Sequence, residues 1–201
     1  MEIGHFMDKK AFTLVEILAV IVIMGIIMAI ALPSFIKISK GHATEESAKL
    51  IASSLKYVRS YAITNREYTA LIFPENSEGL SEEYTYKSYR SCIITVNGTT
   101  YTFSRWIPDS EWHFLPKGAS VDSIINKDVI KSVNFSKAGG SSSADSRGIA
   151  FKRTGEALGS EKEVIITEKI YSGGEYKAVN DANKVYVTVD QYTGRISYGQ
   201  D

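Results

Sequence analysis

The residues with the most chemical potential are crowded near the N-terminus. Lys9-Lys10-Ala11-Phe12-Thr13-Leu14-Val15-Glu16 sets two cations, a small residue, an aromatic residue and one carboxylate ahead of an apolar run. From 17 to 32 no side chain carries a charge or a conventional hydrogen-bonding group. A carboxylate against such a run is costly, about 2.5–3.5 kcal/mol at the centre of a membrane helix and less near its end. No Lys or Arg lies inside the run to pair with Glu16. A cut after Ala11 would give Phe12 a new α-amino group, and that cation could meet Glu16 in its own chain or in a neighbour. Low dielectric strengthens such a pair and makes a lone charge expensive. The competing reading is a carboxylate that snorkels to the interface and does nothing specific.

The rest of the chain offers little to an enzyme. Its histidines are His5, His42 and His113, and its one cysteine is Cys92. No HExxH, GxSxG, Walker loop or GxGxxG is present. A lone cysteine excludes an internal disulfide framework, and Cys92 in a strand-like run reads as an inert small hydrophobe. Asp181, Asn183 and Asp190 could face a cation, but their spacing matches no calcium loop and reads as a turn beside a solvated strand end. Asn97-Gly98-Thr99 has the form of a glycosylation sequon and is better explained as a hairpin turn. The reading is therefore no catalytic residue, no metal and no cofactor. With 23 Lys+Arg against 23 Asp+Glu in 201 residues, no global field favours nucleic acid.

These groups need elements to hold them. Residues 12–32 contain two polar side chains, Thr13 and Glu16, and 21 helical residues span about 30 Å, the hydrocarbon thickness of a bilayer. Lys9 and Lys10 mark the cytoplasmic end. Pro33 predicts a kink or local melting. The helical pattern then resumes, with Ala43, Leu50, Ile51, Leu55, Val58, Ala62 and Ile63 on one stripe. One helix is expected from Phe12 to about Asn65, loosened at Gly41. Lys37, Lys40, Lys49, Lys56 and Arg59 against Glu45 and Glu46 read as a solvated face. Beyond Asn65 the period shortens. Strands are expected over 68–73, 84–90, 92–96, 99–106, 111–116, 129–135, 149–152, 164–167, 184–190 and 195–198. Turns are expected at Asn97-Gly98, at Gly139–Ser143 and at 172–174, with an acidic loop of Glu75, Glu78, Glu82 and Glu83. The fold class is α+β: a long helix on an antiparallel sheet or sandwich.

The N-terminal octapeptide followed by its apolar run resembles the prepilin leader of type IV pilins and type II secretion pseudopilins. The head is similar to the H-type minor pseudopilins and the T-type minor type IV pilins. It shares Tyr61–Asn65 leading into a strand, Trp112–Pro116 in mid-head, and the ending 185–190 followed by Thr193-Gly194-Arg195-Ile196. The resemblance implies cleavage between Ala11 and Phe12 by a prepilin peptidase, N-methylation of Phe12, a role for Glu16 in bringing subunits into register, and a helix-kinking Pro33. The family usually has Gly where this chain has Ala11, and Met7 is an alternative start. The segments implied are a cleaved leader (1–11), a transmembrane and assembly helix (12–35), an amphipathic helix continuing into the head (36–65) and a β-rich periplasmic head (66–201).

The function implied is a non-enzymatic minor subunit of a type II secretion pseudopilus or a type IV pilus. It would be anchored by a single pass in the inner membrane, with its N-terminus cytoplasmic and its head outside. Its partners would be other pilins or pseudopilins, the peptidase and the inner-membrane assembly platform. One alternative is a membrane-anchored periplasmic binding domain that never polymerises. Another is a DNA-uptake pilin. Some T-type relatives bind DNA through a basic C-terminal hairpin with a second arginine two residues after the first, but here Ser197 follows Arg195-Ile196. Residues 181–201 carry a net charge of −1, so nucleic acid is disfavoured. Arg195 is expected to serve the turn or a subunit contact.

Overall fold

A computed structural model describes residues 13–75, 80–81, 83–135, 143–172 and 175–200; the side chains of 31–41 and 170–182 are outside the description. The chain divides into two compact units, Met1–Ser39 and Lys40–Asp201. One helix, α1 (Leu14–Asn65), contributes to both. Ten strands follow: β1 (Tyr68–Phe73), β2 (Ser88–Asn97), β3 (Thr100–Trp106), β4 (His113–Phe114), β5 (Ala119–Ile125), β6 (Asp128–Val133), β7 (Ala144–Phe151), β8 (Lys162–Ser172), β9 (Glu175–Val189) and β10 (Ile196–Gly199). The class is α+β, as expected.

The helical assignment is continuous through Pro33 and Gly41. It stops in a defined way. Arg66 takes a left-handed conformation (φ 54°), and the Glu67 N–H donates to the Ala62 carbonyl at 3.2 Å. That is a Schellman closure, which satisfies carbonyls the helix end would otherwise orphan.

Within the second unit the face of α1 that is buried runs through Thr44, Ala48, Ile51, Leu55, Val58 and Ala62. Their spacing of four and three keeps them on one side of a 3.6-residue helix. The expected stripe is corrected at two points. Leu50 and Ile63 are 38% and 43% exposed, while Ser47, Ala48 and Ala52 are buried. Small side chains here let the backbone lie close to the strands. The Thr69 hydroxyl reaches across to donate to the Val58 carbonyl, 3.1 Å away.

Among the described residues the head has two sheets, and all their strand pairs but one are antiparallel. β1 pairs with both β2 and β7, and the ladder β1-β7-β6-β3-β2 returns to β1, so five strands form a closed ring. The closing pair β3–β6 is parallel, through Tyr101↔Ile130 and Thr102↔Lys131. Closure removes the unpaired edges that an open sheet leaves. Strand alternation then separates two cores. Ala70, Ile72, Cys92, Ile94, Ile130 and Ala150 belong to one. Leu71, Phe73, Tyr89, Ile149 and Phe151 belong to the other, together with α1 and with Val121, Val164, Ile166, Val187 and Ile196 of a second sheet ordered β10-β9-β8-β5. β1 is thus buried on both faces, which explains its nearly unbroken apolar run.

Several boundaries moved. Residues 83–87 form turns rather than strand, with Tyr86 at φ 60°. The β2–β3 hairpin pairs Asn97 with Thr100, so its two-residue loop is Gly98-Thr99, one position beyond the expected Asn97-Gly98. Gly98 alone has positive φ (60°), the signature of a type II′ turn. β5 was not foreseen. Most of the turn at Gly139–Ser143 lies outside the described residues, as do Glu78, Glu82 and the glycines of 172–174. Glu75 is not simply an exposed loop residue; it pairs with Lys127 at 3.0 Å and with buried Arg147 at 3.3 Å.

One buried ion pair joins the two sheets. Lys162 Nζ lies 2.8 Å from Asp128 Oδ1, and the two side chains are 3% and 5% exposed. Lys162 also donates to the Asn126 carbonyl, and Asp128 Oδ2 accepts from the Ala150 N–H. Burial pushes the Asp128 carboxyl above the usual range, opposed by its hydrogen bond and charge interaction with Lys162. Removing one partner strands the other charge in a dry site, which costs about 3–5 kcal/mol, whereas replacing both with apolar groups of similar volume is far milder. Urea unfolding of the detergent-solubilised chain should therefore show a large loss for Asp128→Ala and recovery of most of it in Asp128→Leu/Lys162→Met. Equal losses in the single and double variants would refute the pair's coupling.

Candidate functional site

The first candidate is the start of α1. Thr13 precedes the first helical residue and Glu16 is the third within the helix. The Glu16 N–H donates to the Thr13 hydroxyl at 3.3 Å, and the Thr13 N–H donates to Glu16 Oε2 at 3.5 Å. This is a capping box, in which two orphan donors of a helix start are satisfied reciprocally. The sequence contains the signal, Thr-x-x-Glu before an apolar run, but reading Glu16 only as a misplaced charge overlooked it. No cation among the described residues pairs with Glu16. Ala11 and Phe12 lie outside the described residues, and so do the side chain and any kink at Pro33.

Beyond the cap, α1 shows apolar side chains on all sides. Every large one from Leu14 to Ile30 is at least 47% exposed, Leu14 reaching 80% and Ile30 71%. Among the described residues no helix is long and apolar enough to cross a membrane. The apolar stretch with described side chains, 14–30, covers 17 residues, short of the roughly 20 that a bilayer asks for. The sequence run continues to Leu32, two residues beyond the described side chains.

The second candidate is the β9–β10 connection in the head. Asp190 Oδ1 accepts from the Thr193 hydroxyl (2.7 Å), the Thr193 N–H (2.7 Å) and the Tyr192 N–H (3.1 Å). The Gly194 N–H donates to the Asp190 carbonyl, and the Asp190 N–H to the Arg195 carbonyl, both at 2.9 Å. Arg195 donates its own N–H to the Thr193 hydroxyl. Arg59, expected on a solvated face, ties this turn to α1. Its guanidinium donates to the Thr193 carbonyl at 2.8 Å and to the Gly155 carbonyl at 3.0 Å. Gly194 sits where this lock closes, with φ 62°; a Cβ there would collide with the Gly155 carbonyl. Arg195 therefore serves the turn through its backbone, while its side chain stays exposed.

The remaining candidates stay apart. Cys92 is fully buried, and burial pushes its thiol far above the ordinary range, so it is not a thiolate nucleophile. His42 is exposed, and His113 stacks on Tyr89 with centroids 5.4 Å apart. Asp190 is spent on its turn, and among the described residues no three His, Cys, Asp or Glu gather as a metal site. Sequence reasoning also missed an aromatic group around Arg90. The guanidinium lies 4.3 Å from the Trp106 ring centroid and 5.9 Å from that of Trp112, and donates to the Ser110 carbonyl. Such a stack holds a half-buried cation among apolar rings.

Residues 6–32 match the family described as the prokaryotic N-terminal methylation motif. No curated protein matches the chain. Among solved structures it is similar to the type IV minor pilin FimU of Pseudomonas aeruginosa, at 14% identity and a TM-score of 0.45, over 78% of this chain and 87% of that one. It is also similar to the minor pseudopilin EpsH of the Vibrio cholerae type 2 secretion system, at 12% identity and a TM-score of 0.43, over 78% and 96%. What the comparisons give this chain is the N-terminal methylation motif over residues 6–32.

The Thr193 hydroxyl, then the Thr193 and Tyr192 N–H groups, hold the Asp190 carboxyl below the usual carboxylate range. A lowered native pKa gives stability that is complete above the unfolded value, about 3.9, and is lost as pH falls through the native value. An NMR titration should place Asp190 below that reference. Asp190→Ala should speed amide exchange at Thr193, whereas a titration at or above the reference would contradict the capped turn.

Proposed function

We infer that this chain is a minor subunit of a pilin-type filament, either a type II secretion pseudopilus or a type IV pilus. The observation that carries the reading is the methylation motif over 6–32, with Glu16 set at the third helical position of an all-apolar stem. In this reading the precursor sits in the inner membrane, with Lys9 and Lys10 on the cytoplasmic side and the head outside. A prepilin peptidase cuts between Ala11 and Phe12, and Phe12 is N-methylated. The assembly platform then draws the subunit out of the bilayer into a bundle of stems. The exposed apolar surface from Leu14 to Ile30 does not itself drive that step; it lets the stem exchange lipid for other stems without exposing apolar area to water.

Glu16 has two jobs to separate. Its backbone and carboxylate close the helix start on Thr13. Its charge would pair with the methylated amine of Phe12, in its own chain or a neighbour's, and that pair gains strength where water is excluded. In this reading the head acts by contact with neighbouring subunits.

The first test is the N-terminus itself. Intact mass and N-terminal sequencing of membrane-extracted protein, made beside its native peptidase, should show a chain beginning with N-methyl-Phe12. A chain that keeps Met1 or Met7 would leave an anchored domain in place of a filament subunit. The second test splits the roles of Glu16. Gln at the third helical position also completes a capping box, so Glu16→Gln keeps the cap and removes the charge. Both Glu16→Gln and Glu16→Ala should insert in the membrane and be lost from sheared filaments by tenfold or more. Normal incorporation of Glu16→Gln would reduce Glu16 to a helix cap.

A further inference from the structure

Tyr192 is 78% exposed, the highest value of any described large apolar side chain in 40–201. It stands at the centre of a heavily cross-tied turn. Asp190 fixes the N–H groups of Tyr192 and Thr193, Arg59 fixes the Thr193 carbonyl, and Gly194 is packed against the Gly155 carbonyl. Arg195, three residues on, has its N–H fixed by the Thr193 hydroxyl. The backbone is pinned throughout, yet the Tyr192 ring and the Arg195 guanidinium make no hydrogen bond, ion pair or ring contact among the described residues. Tyr and Arg are the side chains that most often anchor protein interfaces. Presenting them on a rigid turn removes the backbone's share of the ordering cost of binding.

We propose that the 190–195 turn is a preorganised docking knob for the head of a neighbouring filament subunit. Tyr192 enters an apolar slot on that head, and Arg195 meets a carboxylate at the slot's rim. The proposal rests on the filament reading above and adds the point of contact. A protein partner fits the charge better than a nucleic acid. Phosphate binding needs several free cations together. Here Arg59 is committed to two carbonyls, Lys152 is paired with Glu156 at 2.7 Å and Arg153 lies over the Tyr68 ring, which leaves Arg195 beside the acidic Asp190. A guanidinium with a planar fork of donors suits a carboxylate partner. Asp190 and Arg59 are positioning residues in this scheme, and Tyr192 and Arg195 make the contact.

The experiment places a benzophenone amino acid at position 192 of the full-length chain, in cells that assemble the filament, with Ser53 on the exposed side of α1 as the control site. Irradiation should give one dominant adduct from position 192, absent from position 53, whose second chain is identified by mass spectrometry as another subunit carrying the methylation motif. Tyr192→Ala/Arg195→Ala should lower recovery of the chain in sheared filaments by tenfold or more, while leaving N-methylated Phe12 and the amount in the membrane unchanged. Both side chains are exposed, so the double variant keeps the fold. Assembled filaments that contain the chain but give no adduct at 192, or an adduct to nucleic acid, would overturn the knob and leave the filament reading intact. Unprocessed chain, absent from filaments even with native residues, would overturn both.

Discussion

Burial of one narrow face of α1 organises the head. Thr44, Ala48, Ile51, Leu55, Val58 and Ala62 lie in a core shared by two β layers, one a closed ring and the other an open sheet. A helix that served only one layer could use large residues along a broad stripe. This one joins a core with both layers and carries small residues along much of its contact. Leu50 and Ile63, the bulky residues at its margins, stay partly exposed. The same narrowness frees Arg59 at the edge of the contact to reach two loop carbonyls that no strand serves.

Closure of the first sheet has an electrostatic counterpart. Where the ring and the second sheet meet, Asp128 and Lys162 neutralise each other in a site from which water is nearly excluded. Arg147 is buried with its guanidinium shared among Glu75, the Val121 carbonyl and the face of Tyr86. Burial lowers the affinity of Arg147 for its proton, and the Glu75 charge opposes this. Each buried charge bridges segments far apart in sequence. They act less as sources of stability than as constraints on which loops meet, since a wrong pairing would strand a charge.

The legible parts of the sequence were those with a local cause. The N-terminal signature needs only eight residues in order, and the long helix needs only its period. The strand over 68–73 follows from a largely apolar run with Thr69 and Ile72 that stops at Pro74, and the one over 196–199 from the Thr193-Gly194 turn ahead of it. Ring closure was not legible, because β1 carries no local mark that it will pair on both sides. The parallel β3–β6 contact is equally silent, since its partners lie nearly thirty residues apart. Arg59 read as one cation among several on a helix, and its role appears only once Gly155 and Thr193 fold against it. At the helix start the signal was present but was read for its charge alone. Thr13 and Glu16 satisfy each other's backbone before any partner arrives.

The short link between α1 and β1 has a mechanical consequence. Two residues, Arg66 and Glu67, separate the last helical residue from the first strand residue. A tug on the helix therefore passes almost directly into β1. β1 holds a five-residue ladder to β2 on one side and another to β7 on the other, and its side chains lie in both cores. Drawing it out must rupture both ladders together rather than peel one bond at a time. The handle by which the protein can be pulled is thus spliced to the strand least able to yield.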